Sequence, residues 1–322
     1  MSSVPPASSR SPGAPPQADS ILQSEGVVAI RQSAVRWTLN IVALIILGPL
    51  AAMLVTRLVD RHGGHDVSLL LNTSLPGGLF ALTAIGAIGV VAAALGARIS
   101  SAQMGRTVAG LTVAWAAFSV GDLGDALRAA GPGFPAVITL VIEAALLGVC
   151  GIAMLWATVS MDREASKDGT PISVGAFVAL LTSKGAMLGI VVAAAGALVG
   201  SWLVARDDLR GQAFFAGVLG AILGAAASRI TGTMLPGGDP ANAHRPEIPA
   251  VGVFLAGMIA PFVLVVVPGL GGIDEAARGA QLTGPGAVSP LDWLGGALLG
   301  TTIGINWAGS LLESSGNQSD KK

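Results

Sequence analysis

The chain has 322 residues, of which 52% are hydrophobic and only 11% charged, with a mean hydropathy of +0.72. Soluble domains carry about 25% charged residues, so a water-soluble fold is excluded and lipid is the implied solvent. The net charge of −1 shows no basic excess of the kind that binds nucleic acid. Cys150 is the only cysteine, which rules out an internal disulfide and a cysteine-based metal cluster.

Residues 1–36 are rich in Ser, Pro and Ala and lack an apolar period, so they read as a disordered cytoplasmic tail and not as a cleaved signal peptide. The first apolar run, Trp37 to Thr56, reaches ~30 Å as a helix, enough to cross the hydrocarbon as an uncleaved signal anchor. Further runs follow at Leu79 to Ala97, Thr107 to Leu127, Phe134 to Ser160, Gly185 to Ala205, Gln212 to Ser228, Ala250 to Leu270 and Trp293 to Leu312. Glycine–proline turns separate several of them, at 76–78, 131–133, 236–240 and 284–286. Runs of ~20 residues satisfy their own backbone as helices, whereas barrel strands alternate over ~10. The expected fold is therefore an all-α polytopic bundle of eight spans over residues 37–313, with a short polar tail at 314–322. Val174 to Thr182 is also apolar, so the fifth span either starts early or is led by an interfacial helix.

The positive-inside rule supplies an orientation. With the N-terminus inside, the inner segments hold Arg10, Arg31, Arg36, Arg98, Arg106, Arg163, Lys167, Lys184, Arg229, Arg245, Lys321 and Lys322. The outer gaps hold Arg57, Arg61, Arg128, Arg206, Arg210 and Arg278, half as many. Both termini are thus expected in the cytoplasm. Arg exceeds Lys and Ala and Gly abound, which fits a GC-rich coding sequence and a bacterial inner membrane. Trp37, Trp156, Trp202 and Trp293 lie near span ends and read as interfacial anchors, and Lys184 and Arg229 as side chains that snorkel to headgroups.

Gly220, Gly224 and Ser228 fall four apart in the sixth run, as do Gly296, Gly300, Gly304 and Ala308 in the eighth. Each series makes one flat helix face, which serves ordinary close packing or, on a sharper reading, an oligomer seam or a duplicated hairpin. Pro261 in the seventh run deprives Gly257 of a helix hydrogen bond and marks a structural kink or a hinge.

Polar groups inside the runs carry the functional argument. Glu143 stands within the unbroken apolar stretch of the fourth run, where a lone carboxylate costs at least ~2.5 kcal/mol. Asp122, Asp125 and Arg128 continue the helical pattern of the third run at spacings of three. Depths of ~9 Å for Asp122 and ~12 Å for Glu143 would let the two face one another across the hairpin. Asp122, Asp125 and Glu143 are therefore candidate proton or cation sites of a small ion-coupled transporter. The structural counterpart has Arg128 neutralising Asp125, Asp122 reaching interfacial water and protonated Glu143 bonding a backbone carbonyl. The alternative function is a non-catalytic scaffolding subunit that assembles with itself or with other membrane subunits through its glycine faces.

No enzyme is expected. The stretch 121–125 lacks the first glycine of the intramembrane aspartyl protease signature, no second run carries a central Asp, and all histidines fall in gaps. His62, His65 and Asp66 share one gap but are read as solvated polypeptide, and no cofactor or phosphate-binding motif occurs. The lipid bilayer is the one partner that composition requires.

Overall fold

A computed structural model describes residues 25–65, 67–131, 133–162, 172–206, 209–234, 240, 242–266 and 282–319. These residues are overwhelmingly helical, and no strand occurs among them. Helix α1 (Glu25–Val42) passes through a π turn (Ala43–Leu47) into α2 (Gly48–Val55). There follow α3 (Leu75–Ile99), α4 (Ala102–Ser119), α5 (Leu123–Ala130), α6 (Phe134–Met161), α7 (Val174–Leu181), α8 (Lys184–Val204), α9 (Arg210–Met234), α10 (Glu247–Val266) and α11 (Pro290–Ser319).

Serine starts five of the eleven described helices. The first N–H groups of a helix have no partner within it, and Ser74, Ser101, Ser173 and Ser183 accept from Gly77, Met104, Ala176 and Ala186 at 3.2–3.3 Å. Ser289 and Asp292 form a reciprocal capping box ahead of α11, each accepting from the other's backbone N–H. In α2 the cause of the irregular turn is Pro49, whose missing N–H leaves a carbonyl one turn back unclaimed and lets the helix widen.

Length and apolarity qualify six helices or fused helices to cross a membrane, or seven if the bent pair α4–α5 is one span. The chain is a multi-pass integral membrane protein. The first of these spans, Gly26–Val55, has 30 residues, ~45 Å, so some turns of it stand clear of the hydrocarbon. α11 falls below the same measure because Thr301, Thr302, Asn306 and its glycines dilute its apolar character.

The glycine contacts show how the helices meet. Gly220 and Gly224 of α9 press on the backbone of α8 at Ala197 and Ala193, which is antiparallel order. Gly296, Gly300 and Gly304 of α11 press on Gly217, Val218 and Ile222 of α9, which is parallel order. A Cβ at Gly296 would stand 2.5 Å from the Gly217 carbonyl carbon, so only glycine allows the approach. α11 also packs on α4, α6 and α10 and forms the centre of the bundle. We define the near end as the one where α1 begins and the far end as its opposite.

Several boundaries differ from the sequence reading. α1 starts at Glu25, so residues 25–36 of the expected tail are helical, and residues 1–24 lie outside the described residues. The C-terminal tail expected from residue 314 is helical through Ser319. The third run is not continuous: α4 ends at Ser119 and α5 sets off at 52°. Gly121 disfavours helix and Asp122 occupies the N-cap position of α5, which is where Asp belongs by propensity. α7 is a separate short helix, broken from α8 at Thr182–Ser183. α10 continues unbroken through Pro261. Trp293 is no interfacial anchor, being 2% exposed and stacked on Gly257 of α10. Arg229 turns inward: its Nη1 donates to the Ile305 carbonyl at 2.6 Å, and its guanidinium lies on Gly309.

Candidate functional site

Glu143 lies in the first half of α6, towards the far end, and is 1% exposed. Both carboxylate oxygens meet one stretch of the α2–α3 loop. Ser68 Oγ donates to Oε1 at 2.6 Å and the Leu70 N–H to Oε2 at 2.8 Å. That stretch is non-helical yet buried, with Val67, Leu69 and Leu71 packed in the core. Irregular backbone inside a bundle needs partners for its amides, and Glu143 supplies them.

The loop is folded back on itself by further bonds. Thr73 N–H and Oγ1 donate to the Val59 carbonyl at 3.1 and 3.0 Å, and Asn72 Nδ2 to the Leu69 carbonyl at 2.6 Å. Gly78 in the first turn of α3 abuts the Leu69 carbonyl, a position that any side chain would block. Asp60 Oδ1 accepts from Gly64 N–H at 2.9 Å and His62 N–H at 2.6 Å. Those bonds, the one from Gly64 foremost, hold its carboxyl below the ordinary value of 3.8.

Above the loop, at the far end, opens a cavity of about 250 Å³. Asp60, Arg61, Asn72 and Thr139 give it polar walls, and Leu70 and the α5–α6 turn close it below and behind. Thr139 lies one helical turn from Glu143 on α6. The Ser68–Leu70 backbone therefore stands between the cavity and the buried acid. A smaller cavity of about 220 Å³ adjoins it, lined by Asp60, His62, Asp125, Arg128 and Ala129.

Of the residues singled out in the sequence, Asp125 forms an ion pair with Arg128 on the half-exposed face of α5. Asp122 sits at the helix break, and the hydrogen bonds to Glu143 come from the α2–α3 loop. Pro261 is buried in α10, away from any cavity described above. Gly220, Gly224, Gly296, Gly300 and Gly304 all face other helices of the same chain. His65 Nδ1 lies 3.3 Å from the Leu58 carbonyl, and Asp66 lies outside the described residues. Among the described residues no group of three His, Cys, Asp or Glu could hold a metal.

Two buried ion pairs were not foreseen. At the near end Arg106 of α4 meets Glu247 of α10 at 2.7 Å, both side chains 7% exposed. At the far end Arg210 of α9 meets Asp292 of α11, whose other oxygen accepts from Ser289. The sequence signal for the second was the Ser-x-x-Asp capping box at 289–292. The first joins residues 141 apart and carries no local signal. Comparison with known proteins leaves the geometry to speak alone, since no family model, curated protein or solved structure matches the chain.

Proposed function

We propose that this protein crosses the membrane eight times with both termini on the near, cytoplasmic side, and conducts a proton or small cation by way of Glu143. The eighth crossing is supported by α11, which runs parallel to α9 from the Arg210–Asp292 pair at one end to the Arg229–Ile305 bond near the other. The single observation that carries the transport reading is the choice of partners around Glu143. Asp292 and Glu247 each face an arginine, but the described partners of Glu143 are a hydroxyl and a peptide N–H. A carboxylate buried in lipid surroundings with neutral donors alone is balanced by a proton or a small cation. The Ser68–Leu70 segment is then the movable seal between that acid and the far-end cavity.

Purified protein in liposomes loaded with a pH-sensitive dye tests this. An imposed pH or cation gradient collapses faster than in protein-free vesicles, and Glu143→Gln, which keeps the shape and removes the charge, abolishes the difference. Flux equal to that of empty vesicles defeats the proposal, as does flux unchanged by Glu143→Gln.

A non-catalytic structural subunit is the second reading, favoured by the sealed state of Glu143 and by an ion pair clamping each end of the bundle. Its docking surface would lie elsewhere than the glycine faces, which are used within the chain. An infrared carboxyl band for Glu143 that stays protonated across pH 5–8 supports this reading, and one that titrates there supports transport.

A further inference from the structure

We infer that the cleft between α1 and the α3–α4 turn at the near end binds the phosphate headgroup of an anionic phospholipid. The cleft encloses about 670 Å³ and is lined on one side by Val27, Val28, Arg31, Gln32, Val35 and Arg36 of α1. Its other side is Ile99 to Gln103, Arg106 and Asp162. Ile99 ends α3 and Asp162 follows the last residue of α6, so the cleft opens where two spans leave the hydrocarbon, at headgroup depth.

The charge in it is one-sided. Three arginines face one aspartate, and Asp162 is occupied, accepting from the Ala102 N–H at 3.2 Å at the start of α4. Arg31 and Arg36 are exposed and lie on the part of the first span that exceeds a bilayer's thickness. Arg106 forms the floor. It is 5% exposed and its Nη1 is committed to Glu247, yet its Nε is buried without a hydrogen-bond partner. A buried guanidinium N–H left over after its ion pair is formed is a built-in donor for an anionic oxygen. The valines of α1 and Ile99 flank the opening and suit the first methylenes of an acyl chain. A lipid is therefore the occupant: it presents the phosphate at this depth and covers that apolar rim, which a free anion does not. The inference stands whether or not the protein transports anything.

Native mass spectrometry of the full-length protein, released from nanodiscs of mixed phosphatidylglycerol and phosphatidylcholine, reads the outcome. The wild type retains phosphatidylglycerol in preference to phosphatidylcholine, and Arg31→Gln with Arg36→Gln lowers that preference about 30-fold, as expected for two interfacial arginines. Arg57→Gln with Arg61→Gln at the far end, a change of equal charge, leaves it intact. Thermal unfolding in detergent supplies the second arm: added phosphatidylglycerol raises Tm, and millimolar inorganic phosphate does not reproduce or compete with the effect. The inference is overturned by equal retention of the two lipids, by an equal loss in the far-end control, or by phosphate acting as well as the lipid.

Discussion

Removing one partner of the near-end ion pair should destabilise this protein more than removing both. In Glu247→Ala the Arg106 guanidinium stays buried between α4 and α10 with its 2.7 Å partner gone. An uncompensated charge of this kind costs about 3–5 kcal/mol. Asp162 also attracts Arg106 through space, which places the expected loss near the lower value, about 3 kcal/mol. At roughly 2–4 °C per kcal/mol that is a drop of about 10 °C in Tm. The double replacement Arg106→Met with Glu247→Leu removes both charges, fills the space with apolar atoms and should recover most of the loss. The assay is tryptophan-fluorescence melting of the four proteins of the cycle in one detergent. The reasoning fails if Glu247→Ala costs less than about 1 kcal/mol, or if the double variant is no more stable than the single.

The glycine contacts predict a contrast between two identical substitutions. Gly296→Ala forces a methyl against the Gly217 carbonyl and should cost about 1–3 kcal/mol. Gly211→Ala, with nothing within 4 Å, should be neutral or stabilising by up to about 1 kcal/mol in the same melts. The Asp60 turn should respond to acid. Because its folded-state pKa lies below 3.8, its contribution is complete above that value and is lost as pH falls through the lower folded one. Amide exchange across residues 58–65, corrected for the intrinsic rate, should show the His62 and Gly64 protection present at pH 5 and gone in strong acid. Asp60→Ala should lack it at both.

The apolar runs were legible because lipid demands them: each falls on helical structure, although the third is split between α4 and α5 and the first begins at Glu25, well ahead of Trp37. Glu143 could be found for the same reason, as a charge in the wrong solvent. Its partner could not, since Ser68–Leu70 sits in a gap and its burial depends on how α3 and α6 pack around it. The pairing of Asp122 with Glu143 assumed a helix straight through Gly121, although Gly followed by Asp is a stop followed by a start. Trp293 and Arg229 were assigned by proximity to a span end, a rule that supposes lipid on every side. Both face protein because α11 is the central helix, which no local pattern announces.

The α8–α9–α11 contact has a mechanical consequence. Where backbones touch through glycine there are few rotamers to change, so these three helices form a stiff plate whose parts cannot slide without carbonyls colliding. The other side of the molecule carries a π turn in the first span, a 52° break between α4 and α5, and an extended loop plugged into the bundle. Within α1 to α5 the α3–α4 pair is locked in the same way, Gly105 pressing on the Ala93 carbonyl, so the yielding parts are the loop and α5, which border the far-end cavity.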